Sequence, residues 1–381
     1  MRKGWERSGD AARSWELFEE DLKCLKALHA NAYRFSVEWS RLEPEPGRFD
    51  EDALARYASW ARRLKEEGIR PIVCFHHFSE PAWLLQAHPR GWLDEAVVER
   101  YLSFVERAAA VLKEHVSDWL TFNEPMVFLV GAYGAGQFPP GRHMLFAVQK
   151  EFIPVLVPNL ARAHNEAYDI LHRLQAGARV SLAQHISALE PARAGDEDAV
   201  RRWDWFMHRH LLDLTHEKLD FLGINYYTQI FVGGLALPWA PMGVLPGFAE
   251  IEQKLTPWVF KLLGGRRGDR LRTGMGWEIV PEGLERVVLR FWEAYRKPIV
   301  ITENGVADED GADREAYIKD HLTALSRAME QGADVRGYLH WSLTDNYEWG
   351  SYKPRFGLFS RQRKPSAGAR FFGETARTGT L

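Results

Sequence analysis

The sequence predicts an α/β protein of the (β/α)8 TIM-barrel type, with seven recognisable strands of the eight that closure requires. Two observations predict it. Strand-like and helix-like segments alternate along the 381 residues, the order expected of parallel strands joined by crossover helices. Polar and aromatic groups then end almost every strand, which is where a parallel barrel opens its pocket. No short repeat, low-complexity run or interdomain linker interrupts the pattern, so residues 1–381 read as one barrel domain.

The elements follow in order. Phe18, Leu22, Leu25 and Leu28 recur at spacings of three and four, predicting an amphipathic helix over residues 14–29. A strand at Asn31–Trp39, a turn at Glu43–Gly47 and a helix over Glu51–Glu67 come next, with Gly68 ending the helix before a strand at Pro71–Phe78. The alternation continues with helix 94–114 and strand 118–124, helix 158–175 and strand 179–186, and helix 197–213 and strand 219–228. After an irregular stretch come helix 281–296 and strand 298–303, helix 313–331 and strand 335–343, and a basic, irregular tail. The missing strand is the first. Met1–Arg13 holds one Trp, no β-branched residue and many charges. The segment Phe231–Gly264 carries large apolar residues such as Leu235, Trp239, Phe248 and Trp258 among Pro and Gly. It reads as a lid or cleft wall, with packing on the outer helices or a membrane or partner contact as the alternatives.

Composition sets limits on function. A hydrophobic share of 46% supplies a large core, and a net charge of −3 with both signs interspersed leaves neither a nucleic-acid footprint nor a patch for anionic membranes. Cys24 and Cys74 read as buried free thiols rather than a disulfide framework. The charged start, Met1–Arg7, has no apolar stretch of signal-peptide length, and no run of about 18 apolar residues occurs, so the expected compartment is the cytoplasm. Fifteen Trp are compatible with a core or with a sugar cleft, since a pyranose presents an apolar C–H face to a ring.

Two glutamates stand out. Glu124 ends Thr121-Phe122-Asn123-Glu124-Pro125 and Glu303 ends Val300-Ile301-Thr302-Glu303, each at the finish of an apolar strand. Two carboxyl groups delivered to one pocket are the minimal equipment for glycosidic cleavage: one protonates the leaving oxygen while the other meets the charge developing at the anomeric carbon. Glu303 needs donors to stay ionised, and Arg34 and Tyr227 are the candidates. Asn123 is placed to hold a sugar 2-hydroxyl. A lone strand-end Glu is more often a cap or a salt-bridge partner, and His76 and His77 taken alone read as hydrogen-bonded core histidines. The pairing of two Glu-bearing strand ends favours the catalytic reading. No His-x-x-x-His or comparable spacing points to a metal, and no Gly-rich loop after a strand points to a nucleotide cofactor, so neither is expected.

Together these motifs resemble glycoside hydrolase family 1, the retaining β-glucosidases and β-galactosidases, from about Trp15 to Ala369. The carriers are Tyr33–Arg41, His76-His77-Phe78, Thr121–Pro125, Asp220–Tyr227, Ile301–Gly305, Trp341–Trp349 and Arg355–Leu358. The resemblance implies a double-displacement mechanism with Glu303 as nucleophile and Glu124 as acid/base, their carboxyl groups about 5–5.5 Å apart. Arg34 and Tyr227 would hold Glu303, and His77, Asn123 and Asn225 would line the glycone site. Trp341 would form the sugar platform, with Glu348 and Trp349 on the far hydroxyls. Because Glu348 would repel a phosphate, an unphosphorylated β-glycoside is the expected small-molecule substrate. The chain departs from the family at its start, where members carry a strand with a Gln-x-Glu-Gly motif whose Gln binds the glycone. A catalytically weakened or inactive sugar-binding relative is therefore the alternative reading, and unpaired barrel edges raise the expectation of a homo-oligomer.

Overall fold

Short runs rich in β-branched and aromatic residues, bounded by turn signals, become the strands of one parallel sheet. A computed structural model describes residues 5–144, 148–234, 244–246 (backbone only), 270–309 and 311–381. The sheet runs β1 (Ala32–Ser36), β2 (Arg70–His76), β3 (Asp118–Asn123), β4 (Arg179–His185), β6 (Leu222–Asn225), β9 (Ile299–Asn304) and β10 (Val335–His340), each paired parallel with the next. A smaller sheet orders β5 (Ala188–Pro191), β7 (Gln229–Gly234) and β8 (Val244–Pro246). The barrel-type architecture is therefore observed with seven strands among the described residues. Every residue of β3 is buried, whereas every residue of β1 is only half-buried, as is most of β10, consistent with these two bounding the sheet.

The outer helices begin and end where their sequence signals lie. In α1 (Phe18–Ala27) the acidic residues Glu19, Glu20 and Asp21 occupy the first turn and Lys26 the last, matching the helix dipole. α2 (Glu51–Glu66) and α3 (Glu95–Leu112) are capped by Asp50 and Asp94, whose carboxylates accept from Ala53 N and Ala96 N. α4 (Val157–Leu174), α5 (Pro281–Tyr295) and α6 (Arg314–Glu330) complete the crossovers. Buried Trp39, Trp92, Trp119, Tyr101, Phe75, Phe104 and Phe122 fill the layer between the first strands and α3, so part of the Trp content is core. Both cysteines are free and buried. No helix among the described residues is long and apolar enough to cross a membrane.

Three expectations need correction, and a fourth falls mostly outside the described residues. The tail is not irregular: α7 (Ala367–Thr378) is capped by Ser366, which accepts from Ala369 N, and ends at Gly379 in the left-handed region. Strand 219–228 divides at Asn225, because Tyr226 and Tyr227 turn out of the sheet before β7 begins. Helix 197–213 passes through a wider turn at residues 205–209 between Glu197–Asp204 and His210–Thr215. Of the lid reading for Phe231–Gly264, residues 231–234 belong to β7. The remainder lies outside the described residues except for the backbone of 244–246.

Candidate active site

The strand ends converge. Register shifts at Leu120/Asn123, Ile224/Asn225 and Tyr338/His340 lie near C-terminal strand ends, where irregular pairing re-aims side chains into a mouth; a further one, at Val335/Gly337, lies at the start of β10. Three bulky residues around that mouth, Phe78, Glu124 and Trp349, have φ of 70°, 44° and 48°. Such left-handed backbone is costly for residues with a Cβ and concentrates where the surrounding structure enforces it for function. Glu124 stands immediately before Pro125, which opens a short helix, so its side chain leaves the strand end at a sharp turn.

Glu303, from β9, is held on both oxygens. Arg34 Nη2 donates to Oε1 and Tyr227 OH donates to Oε2 at 2.6 Å. Arg34 Nη1 also donates to Asn123 Oδ1 at 3.1 Å. That same oxygen accepts from Asn225 Nδ2 at 3.0 Å, and Asn225 Nδ2 reaches Glu124 Oε1 at 2.9 Å. The two glutamates are thus joined through one buried chain of donors and acceptors: Glu303, Arg34, Asn123, Asn225, Glu124. Thr302 Oγ1 donates to Asn225 Oδ1 at 2.7 Å, which fixes the orientation of that amide and leaves no buried polar atom of Asn225 unpaired.

The same network sets the state of His77. With Asn123 Oδ1 accepting from Arg34 and Asn225, Asn123 Nδ2 points at His77 Nε2, 3.1 Å away. Nε2 is then the acceptor and the ring proton sits on Nδ1, 3.5 Å from Ser36 Oγ. Burial, reinforced by the charge of Arg34, pushes His77 well below its ordinary value, so it remains a neutral imidazole.

The carboxyl groups are tuned by opposing effects. Burial raises Glu303 to about 7; the Arg34 charge opposes this, and the charge of Glu124 adds to it. His185 Nδ1 lies 3.4 Å from Glu124 Oε1. Glu348 accepts from Trp341 Nε1 at 2.9 Å, and burial raises it to about 8. The Trp341 and His77 rings lie 5.7 Å apart, and from His77 a wall of half-buried rings runs through Phe78, Phe138 and Trp349. Gly305 is required by contact: a Cβ there would sit 1.9 Å from the Trp341 carbonyl oxygen.

All ten residues singled out in the sequence therefore lie in this connected mouth: Arg34, His77, Asn123, Glu124, Asn225, Tyr227, Glu303, Trp341, Glu348 and Trp349. Sequence reasoning missed Thr302, His185 and Phe138. Thr302 was within the quoted Ile301–Gly305 motif, and His185 ends the predicted strand 179–186, so position alone was the available signal.

A parallel barrel with two bonded, buried glutamates at its C-terminal mouth defines a protein of the glycosidase type. The pattern of Glycosyl hydrolase family 1 matches residues 2–217 and 206–378, and the chain belongs to that family. A protein described as beta-glucosidase-like, chloroplastic, from Oryza sativa subsp. japonica is 32% identical over 393 residues, covering 97% of this chain and 56% of the rice protein. The bifunctional beta-D-glucosidase/beta-D-fucosidase of Bifidobacterium breve is 32% identical over 404 residues, covering 92% of this chain and 84% of its own. Among solved structures, the beta-glycosidase from Pyrococcus horikoshii superposes with a TM-score of 0.85 at 33% identity, over 97% of this chain and 85% of that one. The chain spans about half the length of the rice relative.

Proposed function

We propose that the chain is a retaining exo-β-glycosidase that hydrolyses β-glucosides or related β-glycosides. Glu303 attacks the anomeric carbon while Glu124, as general acid, passes a proton to the leaving oxygen. The C–O bond to the aglycone breaks and a glycosyl ester forms on Glu303. Glu124, now a carboxylate, takes a proton from water, whose oxygen attacks the anomeric carbon and releases Glu303.

One observation carries this assignment of roles. Glu303 has a cationic donor on one oxygen and a phenol on the other, whereas Glu124 meets an amide and a nearby histidine. Donors to the charged form favour negative charge on Glu303, the group that must be ionised to attack. Trp341 serves as the sugar platform, His77, Asn123 and Asn225 line the glycone site, and Glu348 with Trp349 receives the far hydroxyls. The Bifidobacterium breve relative, a beta-D-glucosidase/beta-D-fucosidase, supports the substrate class.

Hydrolysis of an aryl β-D-glucoside across pH, with Glu303→Ala beside the wild type, tests the proposal. A bell-shaped profile that disappears in the variant is expected. A folded but inactive wild-type chain would favour a sugar-binding relative instead.

A further inference from the structure

We propose that Glu6 is a positioning residue that clamps the turn Glu348–Ser351 from outside and thereby sets how strongly the far hydroxyls of the sugar are read. The proposal rests on the glycosidase reading above, in which Glu348 and Trp349 receive those hydroxyls. It adds to that reading a residue that touches no substrate.

The turn is a two-residue hairpin. Glu348 N donates to Ser351 O at 2.8 Å, and Ser351 N donates back to Glu348 O at 3.0 Å. Both central residues, Trp349 and Gly350, have positive φ, of 48° and 90°, which is the signature of a type I′ turn. The first central position of such a turn suits Asn, Asp or Gly, so a Trp there carries left-handed backbone against the crowding of its own Cβ. A residue keeps that conformation only where its surroundings over-determine it. At the second position glycine is needed twice over, for its φ and because a Cβ would come within 2.5 Å of the Trp5 indole.

The outside support comes from Glu6, which uses each of its polar groups. Its N–H donates to Gly350 O at 2.9 Å, its carbonyl accepts from Tyr347 OH at 2.6 Å, and its carboxylate Oε1 accepts from Ser351 Oγ at 3.0 Å. Those partners lie before, within and at the end of the turn, so Glu6 brackets Glu348 and Trp349 from both sides. The segment that carries Glu6 is itself fixed in register. Tyr352 OH donates to Ser8 O, Arg361 Nη2 donates to Ala11 O at 2.8 Å, and the Arg361 guanidinium lies 4.4 Å from the centre of the Tyr352 ring.

The turn in its strained form aims two side chains at once. Glu348 accepts from Trp341 Nε1 at 2.9 Å, and the Trp349 ring leans on Phe78 at 6.2 Å and on Phe138 at 5.6 Å. If the backbone at Trp349 relaxes to negative φ, the two side chains no longer share that aim. Glu303 and Glu124 are held by a separate set of bonds, from Arg34, Tyr227 and Asn225. Loosening the clamp therefore weakens recognition of the far hydroxyls and leaves the chemistry at the anomeric carbon in place.

The test compares two 2,4-dinitrophenyl glycosides on the full chain: the β-D-glucoside and its 4,6-dideoxy analogue, which lacks both far hydroxyls. The readout is kcat/KM for the glucoside divided by that for the analogue, a ratio from which a general loss of active protein cancels. Glu6→Ala and Tyr347→Phe each remove one bond, and each is expected to lower the ratio about three- to tenfold, the range of one ordinary hydrogen bond. Glu6→Gln keeps an acceptor for Ser351 and should restore most of it. An unchanged ratio in Glu6→Ala, including one in which both rates fall together, overturns the role, as does a Glu6→Gln chain no better than Glu6→Ala. A wild-type chain that hydrolyses neither glycoside overturns the glycosidase reading instead. The ratio of the two Kd values, with and without Glu6→Ala, then decides the clamp separately: a shift of similar size upholds it, and an unchanged ratio or no binding of either glycoside overturns it.

Discussion

Replacing Tyr227 by Phe isolates one hydrogen bond at the centre of the site. The Tyr227 ring packs against Trp277 at 5.3 Å and Phe356 at 6.1 Å, contacts that a Phe ring keeps. Only the phenol's 2.6 Å bond to Glu303 Oε2 is lost. Burial, with the Glu303 charge adding to it, holds Tyr227 well above its ordinary value, so it is a neutral donor throughout any usable assay range. A hydrogen bond to a charged group contributes about 1.5–3 kcal/mol, and one pKa unit corresponds to about 1.4 kcal/mol. Losing it should raise Glu303, already raised to about 7, by about one to two units further. Because the nucleophile must be ionised, the acidic limb of kcat/KM should move to higher pH by that amount. Circular dichroism and the pH profile of aryl glucoside hydrolysis measure this directly. A uniform fall in rate with the acidic limb in its wild-type position would refute the reasoning.

Three further outcomes follow from the same geometry. Glu348 is held protonated up to about 8 in the fold against an ordinary 4.5, so its favourable contribution to stability is complete below about pH 4.5 and is lost as pH rises through 8. The melting temperature of Glu348→Gln relative to wild type should therefore climb between pH 5 and 8; a flat difference would contradict it. Gly305→Ala drives a Cβ against the Trp341 carbonyl and should cost about 1–3 kcal/mol in thermal or urea unfolding, with activity falling as the Glu303 turn and Trp341 separate. Thr302→Val removes the donor that fixes Asn225, so kcat/KM should fall about tenfold with little change in melting temperature, and Thr302→Ser should restore most of it.

The sequence already carried the pair of glutamates and the ring of polar strand ends, because strand-end chemistry is local and strand order in a parallel barrel brings those ends together. Thr302, His185 and Phe138 were harder. Each owes its place to a neighbour far along the chain: Thr302 to Asn225, His185 to Glu124 and Phe138 to Phe78. The helix Ala367–Thr378 escaped notice because its two glycines weaken the helical pattern, and Gly368 and Gly373 reveal their purpose only as close contacts with Arg314 and with the Ala27–Leu28 backbone. The break after Asn225 was hidden within an apolar run that reads as one strand, although Tyr227 must leave the sheet to reach Glu303. Fifteen Trp gave no hint of their division between core and mouth, since Trp39 and Trp341 carry similar local patterns.

Covalent trapping tests the central claim most directly. Incubation of the full chain with an activated 2-deoxy-2-fluoro-β-D-glucoside, followed by peptide mass analysis, should show one fluoroglucosyl unit on the peptide bearing Glu303, with activity lost in proportion. Hydrolytically active protein that acquires no label, or acquires it on Glu124, would contradict the assignment of Glu303 as nucleophile.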